Sequence, residues 1–217
     1  MKNLHLDDGP LNILCLGAHP DDIEIGCGGT VLEILRKRKD VSVAWVVFAV
    51  SKERREEAEC AAKHFLKEAA HTEISLHGFE DGYLPYTGGE VKRRFEELKQ
   101  LPDPDVIFTH WSEDAHQDHR LVSELSWNTF RNHLILEYEI PKYDGDFGRT
   151  NAYVSLPGDV LDEKISIVME CHRTQRDKDW FDEDVFRGLA RLRGMECHAP
   201  EGFAEAFHQR KAMIGLV

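Results

Sequence analysis

Short apolar runs alternate with stretches of helical period along this chain, and that alternation leaves few folds open. Leu11 to Leu16 is the first run, and Val31, Leu32, Ile34 and Leu35 follow it at helical spacing. Val41 to Val50 is the second, followed by a helix expected from about Lys52 to Leu66 with Ser51 as its N-cap. His71 to Leu76 and Val106 to Phe108 read as a third and a fourth strand. Val91, Phe95 and Leu98 mark a helix between them, and Leu121, Val122 and Leu125 one after the fourth. Strand patterns return at Leu134 to Ile140 and Ala152 to Leu156, and helical stretches at about Asp159 to Cys171 and Asp182 to Leu192. A helix between two strands is the crossover of a parallel pair, because antiparallel neighbours need only a hairpin. The expected fold is therefore α/β, a three-layer sandwich with a mostly parallel sheet, in a single domain over residues 1–217.

In such a sheet the loops leaving the carboxyl ends of the strands share one edge, where sites are built. The loop after the first strand carries His19, Asp21 and Asp22, and the one after the fourth carries His116, Asp118 and His119. Catalytic zinc takes three ligands of imidazole and carboxylate type and leaves one position for water. His19 and one of the two adjacent aspartates supply two ligands, and the other aspartate, pointing elsewhere, is free to act as base. His116 and His119 lie on one helical face. One of them completes the set, the other acts on the substrate, and Asp118 is placed to orient that second ring.

Composition narrows the partners. A net charge of −13 argues against nucleic acid and anionic membranes. No apolar run is long enough for a membrane span, and Met1 to Pro10 has no apolar core of the kind a secretory signal needs. The five cysteines are odd in number and form no Cys-x-x-Cys, so no disulfide framework is expected and a reducing cytoplasm fits. Cys197-His198 offers too few groups for structural zinc. His64, His71 and His133 read as surface or helix-packing residues, and Arg173, Arg176 and Arg187 as charges on helices.

Ala18-His19-Pro20-Asp21-Asp22 followed by Glu24, then Gly26-Cys27-Gly28-Gly29-Thr30, and later His116-Gln117-Asp118-His119, resemble the PIG-L/LmbE-like deacetylases. That family includes zinc enzymes that remove acetyl groups from N-acetylglucosamine units. The likeness runs roughly from Asn12 to Phe207, with weaker matches at Phe79-Glu80-Asp81-Gly82 with Leu84 and at Phe203-Ala204-Glu205-Ala206-Phe207. It implies an LmbE-like, Rossmann-like architecture. It makes His19, Asp22 and His119 the metal ligands and Asp21 the general base. His116 becomes the imidazole that stabilises the oxyanion or protonates the leaving amine, and Asp118 its partner. Arg55 and Asp81 are implied as substrate-binding. Glu24 reads as a support of the loop rather than a ligand, since three protein ligands already suffice. Where the family places a mobile Tyr before its second motif, this chain has Trp111.

The implied cofactor is Zn2+, although two imidazoles and a carboxylate also suit Fe2+ or Co2+. The implied reaction is hydrolysis of an N-acetylated amino sugar or glycoconjugate to acetate and a free amine. The alternative is the same hydrolase chemistry on another acylated amine or an ester, in natural-product or polysaccharide biosynthesis. A non-catalytic binding protein of this fold is disfavoured, since Asp21 and His116 are both present. The expected partner is a small molecule, and the resemblance leans toward a homo-oligomer.

Overall fold

The structure is a computed structural model and describes Leu6 and residues 9–213. The strands are β1 (Leu11–Gly17), β2 (Val41–Val47), β3 (His71–Leu76), β4 (Val106–His110), β5 (Leu134–Tyr138), β6 (Ala152–Leu156) and β7 (Phe203–His208). The helices are α1 (Asp22–Lys37), α2 (Arg55–Phe65), α3 (Gly88–Leu98), α4 (Gln117–Thr129), α5 (Gly158–Cys171) and α6 (Glu183–Cys197). All seven strands join one sheet in the order β3-β2-β1-β4-β5-β7-β6. The first five are parallel, and β7 pairs antiparallel with both β5 and β6.

Alternation along the strands builds a core on each face of the sheet. Ile13, Cys15, Val43, Trp45 and Val47 face one side, packed with residues of α1, α2, α5 and α6. Leu14, Leu16, Val46 and Phe48 face the other, packed with residues of α3 and α4. Helix α1 presses close against the sheet side. A Cβ at Gly26 would collide with the ring of Tyr138 on β5, so a glycine is required there. The strand order reverses between β1 and β4, so a crevice opens where their following loops diverge.

Three expectations change. Helix α2 starts at Arg55 rather than near Lys52; Ser51 still caps, its Oγ accepting the Arg54 N–H at 3.3 Å, but over a turn that precedes the helix. Strand β7 had no strand reading. Its Phe-Ala-Glu-Ala-Phe-His run carries a buried glutamate and two alanines, which give no β signal. Cys60 and Cys171 are joined as a disulfide between α2 and the end of α5, while Cys15, Cys27 and Cys197 are free and buried. The odd count therefore excluded a framework but not one tie. Cys197 and His198 end α6, with His198 in the left-handed cap position at φ 57°. Among the described residues no helix is long and apolar enough to cross a membrane.

Candidate metal centre

The turn from β1 into α1 is strained where the chemistry is expected. Asp21 has φ 98° and ψ −24°, a left-handed conformation that aspartate tolerates better than most residues. This geometry lets the Asp21 carbonyl accept the Ile25 N–H at 2.9 Å and start α1, while the Asp21 and Asp22 side chains diverge. The Asp22 carboxylate turns inward, where Oδ2 accepts the His19 N–H at 2.6 Å. The Asp21 carboxylate turns toward α2 and meets Arg54, Nη2 to Oδ2 at 2.9 Å.

Three donors converge at the switch point. His19 Nδ1 lies 3.2 Å from His119 Nε2 and 3.4 Å from Asp22 Oδ2, and His119 Nε2 lies 3.5 Å from the other oxygen, Asp22 Oδ1; donors of His116 with those of His19 and His119, and of His110 with those of Asp22 and His119, also gather within 4.8 Å. Tetrahedral ligands about 2.0–2.1 Å from zinc stand about 3.3–3.4 Å from one another, which is this spacing. The far nitrogen of each ring faces a carboxylate. His19 Nε2 is 3.1 Å from Asp118 and 3.0 Å from Asp81, and His119 Nδ1 is 3.0 Å from Asp114. Carboxylates placed so keep protons on the outer nitrogens and leave lone pairs facing inward. Burial disfavours a charged His19, but its hydrogen bonds to Asp118, Asp22 and Asp81 outweigh it and hold its pKa well above the ordinary value. Burial and the neighbouring His110 push His119 down to about 4. A divalent cation at this point would be met by the inward lone pairs of both rings and by the Asp22 carboxylate. The residues present fit such an ion.

His116 caps α4, its Nδ1 accepting the Asp118 N–H at 3.2 Å. The ring proton of the neutral imidazole is then on Nε2. Its ring centroid is 4.6 Å from that of His119 and 4.8 Å from that of His19. Burial and the charge of His19 lower its pKa. Burial raises that of Asp21, against the opposing charge of Arg54.

The expected residues His19, Asp22, His116, Asp118 and His119 therefore meet, while the Asp21 carboxylate, next in the chain to Asp22, turns to Arg54. Asp81 stands at the rim, its pKa drawn down to about 2 by the hydrogen bond to His19. Two partners differ from expectation. The Asp118 carboxylate lies on His19, not on His116; it is held there by the N–H groups of Gly82 at 2.7 Å and Leu84 at 3.1 Å. Arg55 points away, donating to the Leu76 carbonyl at 3.2 Å, because α2 begins three residues later than expected. The arginine at the site is Arg54, which also donates to the Pro20 carbonyl at 2.6 Å and lies 3.6 Å from Glu57. Glu24 is fully buried and its carboxylate lies 3.2 Å from His172, beyond the end of α5.

Four residues had no reading. His110, the last residue of β4, stacks on His119 at 3.8 Å and accepts the Ala18 N–H. Asp114 holds His119 and is itself paired with Lys142 at 3.0 Å. His172 pairs with Glu24 at 3.2 Å. The chain order around His110 and Asp114, between strand end and helix start, was the available signal; Lys142 and His172 come from distant segments and had none. Trp111 stacks on His208, ring centroids 4.4 Å apart.

Comparison with known proteins agrees on fold and lineage. A deacetylase of Escherichia coli (strain K12) called YaiS, itself described as uncharacterized, is 32% identical over 142 residues, 59% of this chain and 74% of that protein. The solved structure of N,N'-diacetylchitobiose deacetylase from Pyrococcus horikoshii superposes with a TM-score of 0.69 at 21% identity, over 91% of this chain and 83% of that one. GalB, the 4-carboxy-2-hydroxymuconate hydratase of Pseudomonas putida, superposes with a TM-score of 0.72 at 15% identity, over 94% and 98%. Deacetylases and a hydratase share this architecture, so the fold alone assigns no reaction. The GlcNAc-PI de-N-acetylase description matches residues 14–130. On that match, with both motif clusters inside it, the chain belongs to the PIG-L family.

Proposed function

We propose that this protein is a metal-dependent deacetylase that hydrolyses the acetamide of an amino sugar or glycoconjugate to acetate and a free amine. The observation that carries the reading is the donor triangle of His19, Asp22 and His119 with a buried, arginine-paired Asp21 beside it. A Zn2+-class ion held by those three residues would polarise the acyl carbonyl and acidify the attacking water. Asp21 takes a proton from that water as the carbon–oxygen bond forms. Its raised pKa keeps it basic enough to accept the proton and acidic enough to return it. Arg54 fixes the carboxylate's direction and limits that rise. His116, with its proton on Nε2 and its pKa lowered, donates a hydrogen bond to the developing oxyanion rather than transferring a proton. The proton on Asp21 then passes to the amide nitrogen as the carbon–nitrogen bond breaks. Asp81, exposed at the rim, reaches toward sugar hydroxyls.

The test is acetate release by zinc-loaded protein from N-acetylated amino sugars, from other N-acyl amines and from acetyl esters. Release confined to the sugars supports the proposal. Turnover of only other amides or esters keeps the hydrolase and removes the substrate class. Turnover of none, in protein retaining the ion, refutes the reading.

A further inference from the structure

Away from the switch point, on the outer side of α2, three more metal-binding groups meet. Cys60 and His64 are four apart and share one face of α2. Cys171 is the last residue of α5. His64 Nδ1 is 3.8 Å from the Cys60 sulfur and 3.9 Å from the Cys171 sulfur, and the three donors all lie within 4.8 Å. His64 is exposed, Cys60 half-buried and Cys171 buried, so the cluster opens to solvent through the imidazole. None of these residues takes part in the chemistry above.

We infer that Cys60, His64 and Cys171 form a second site, for a soft divalent cation of the Zn2+ class, closed while the two cysteines are a disulfide and opened by reduction. Zinc bound by two thiolates at about 2.3 Å and an imidazole at about 2.0 Å places sulfur about 3.8 Å from sulfur and about 3.5 Å from nitrogen. The imidazole already stands near that distance from both sulfurs. Cleaving the sulfur–sulfur bond lets the sulfurs part to the third edge. The opening step is thiol–disulfide exchange with a dithiol. One thiolate of the dithiol attacks a sulfur of the pair and expels the other cysteine as thiolate. The second dithiol thiolate then attacks the dithiol's own bonded sulfur, expels the remaining cysteine, and closes the dithiol into a disulfide. Two electrons and two protons arrive on Cys60 and Cys171. Binding the cation then releases both thiol protons, and His64 Nδ1 leaves its 2.8 Å contact with the Cys60 carbonyl.

Disulfide and cation each tie α2 to the end of α5. That junction also carries Thr174, whose N–H and hydroxyl donate to Glu57 at 2.8 Å each, one turn before Cys60. Glu57 in turn neighbours Arg54.

The experiment is zinc analysis of the full chain, desalted without oxygen after dithiothreitol treatment or after oxidation. Reduced protein should hold about two ions per chain and oxidised protein about one. Cobalt in the second site should give the near-ultraviolet absorption of thiolate-to-metal charge transfer. Cys60→Ser should remove that band and the second ion. His64→Asn, at an exposed position, should leave the disulfide intact and weaken the second ion at least tenfold. Reduced protein holding no more zinc than oxidised protein, a reduction-dependent ion or cobalt band that survives Cys60→Ser, or full affinity in His64→Asn would each overturn the site.

Discussion

The segment that matches the family and the segment beyond it divide the labour unequally. Every expected ligand and reacting group comes from 19 to 119, on the loops after β1, β3 and β4. Residues beyond 130 add a further layer of contacts behind those groups. Tyr138 hydrogen-bonds the Leu16 carbonyl at 2.7 Å, just before the first loop. Lys142 pairs with Asp114 behind His119. His172 pairs with Glu24, and Thr174 with Glu57 behind Arg54. Glu205 on β7 accepts the N–H groups of Gly29 and Thr30 in the middle of α1, at 2.8 and 2.7 Å, and is paired with Lys164. The first segment holds the expected chemistry together with part of its orientation, through Arg54, Asp114 and Asp118, and the second adds orientation alone. Ligand motifs are short because chemistry fixes both residue type and spacing. An orienting contact asks only for a charge or a donor arriving from somewhere.

Substitutions can break that division. The largest effect is expected in the first segment: Asp21→Asn should keep the fold and the metal while turnover falls roughly 10² to 10⁴-fold. Near-native turnover at normal metal content would remove Asp21 as base. Next, His116→Ala should lower kcat roughly 10² to 10³-fold with KM little moved and metal affinity unchanged. Loss of the ion in this variant would exchange its role with that of His119.

The third prediction sets the two segments side by side. Asp118→Asn, acting on His19, and Lys142→Met, acting through Asp114 on His119, should each weaken metal affinity roughly 10- to 100-fold. Competition with a chromogenic chelator reads this directly. An Asp118→Asn protein with full affinity and a His116-like kinetic defect would restore the partner expected from sequence. Full affinity in Lys142→Met would make the second segment mere scaffold.

The smallest effect concerns His172. Burial opposes its charge, but Glu24 outweighs burial and the folded pKa stands above the ordinary 6.5. A raised imidazole pKa adds stability below the unfolded value and loses it as pH rises through the folded one. The thermal midpoint should therefore drop as pH rises from below 6.5 through the raised folded value, by more in the parent than in His172→Gln. Equal drops would remove this pair from the pH response.

Much of this was legible in the chain, unevenly and for physical reasons. Strand and helix periods gave the parallel sheet, and two local motifs after β1 and β4 gave the donors that meet. Arg54 was missed by one residue because a capping serine fits either a turn or a helix start, and only tertiary packing decides. The partner of Asp118 depends on Gly82 and Leu84, which lie 36 and 34 residues away. Glu205 hid β7, since a buried carboxylate reads as exposed until its amide and lysine partners are known.

The placement of β7 carries a consequence for how the chain is made. It is the final strand described, yet it sits inside the sheet, between β5 and β6. As the polypeptide leaves the ribosome, β1 to β5 can pair in parallel at once, but β5 then presents an open edge until Phe203 emerges. Across the intervening residues, at ordinary elongation rates, that interval is roughly 3 to 13 s. During it β6 has no sheet neighbour, and α1 lacks the carboxylate that reaches Gly29 and Thr30. A nascent chain halted before β7 would display two adhesive edges at once and invite capture by chaperone or protease.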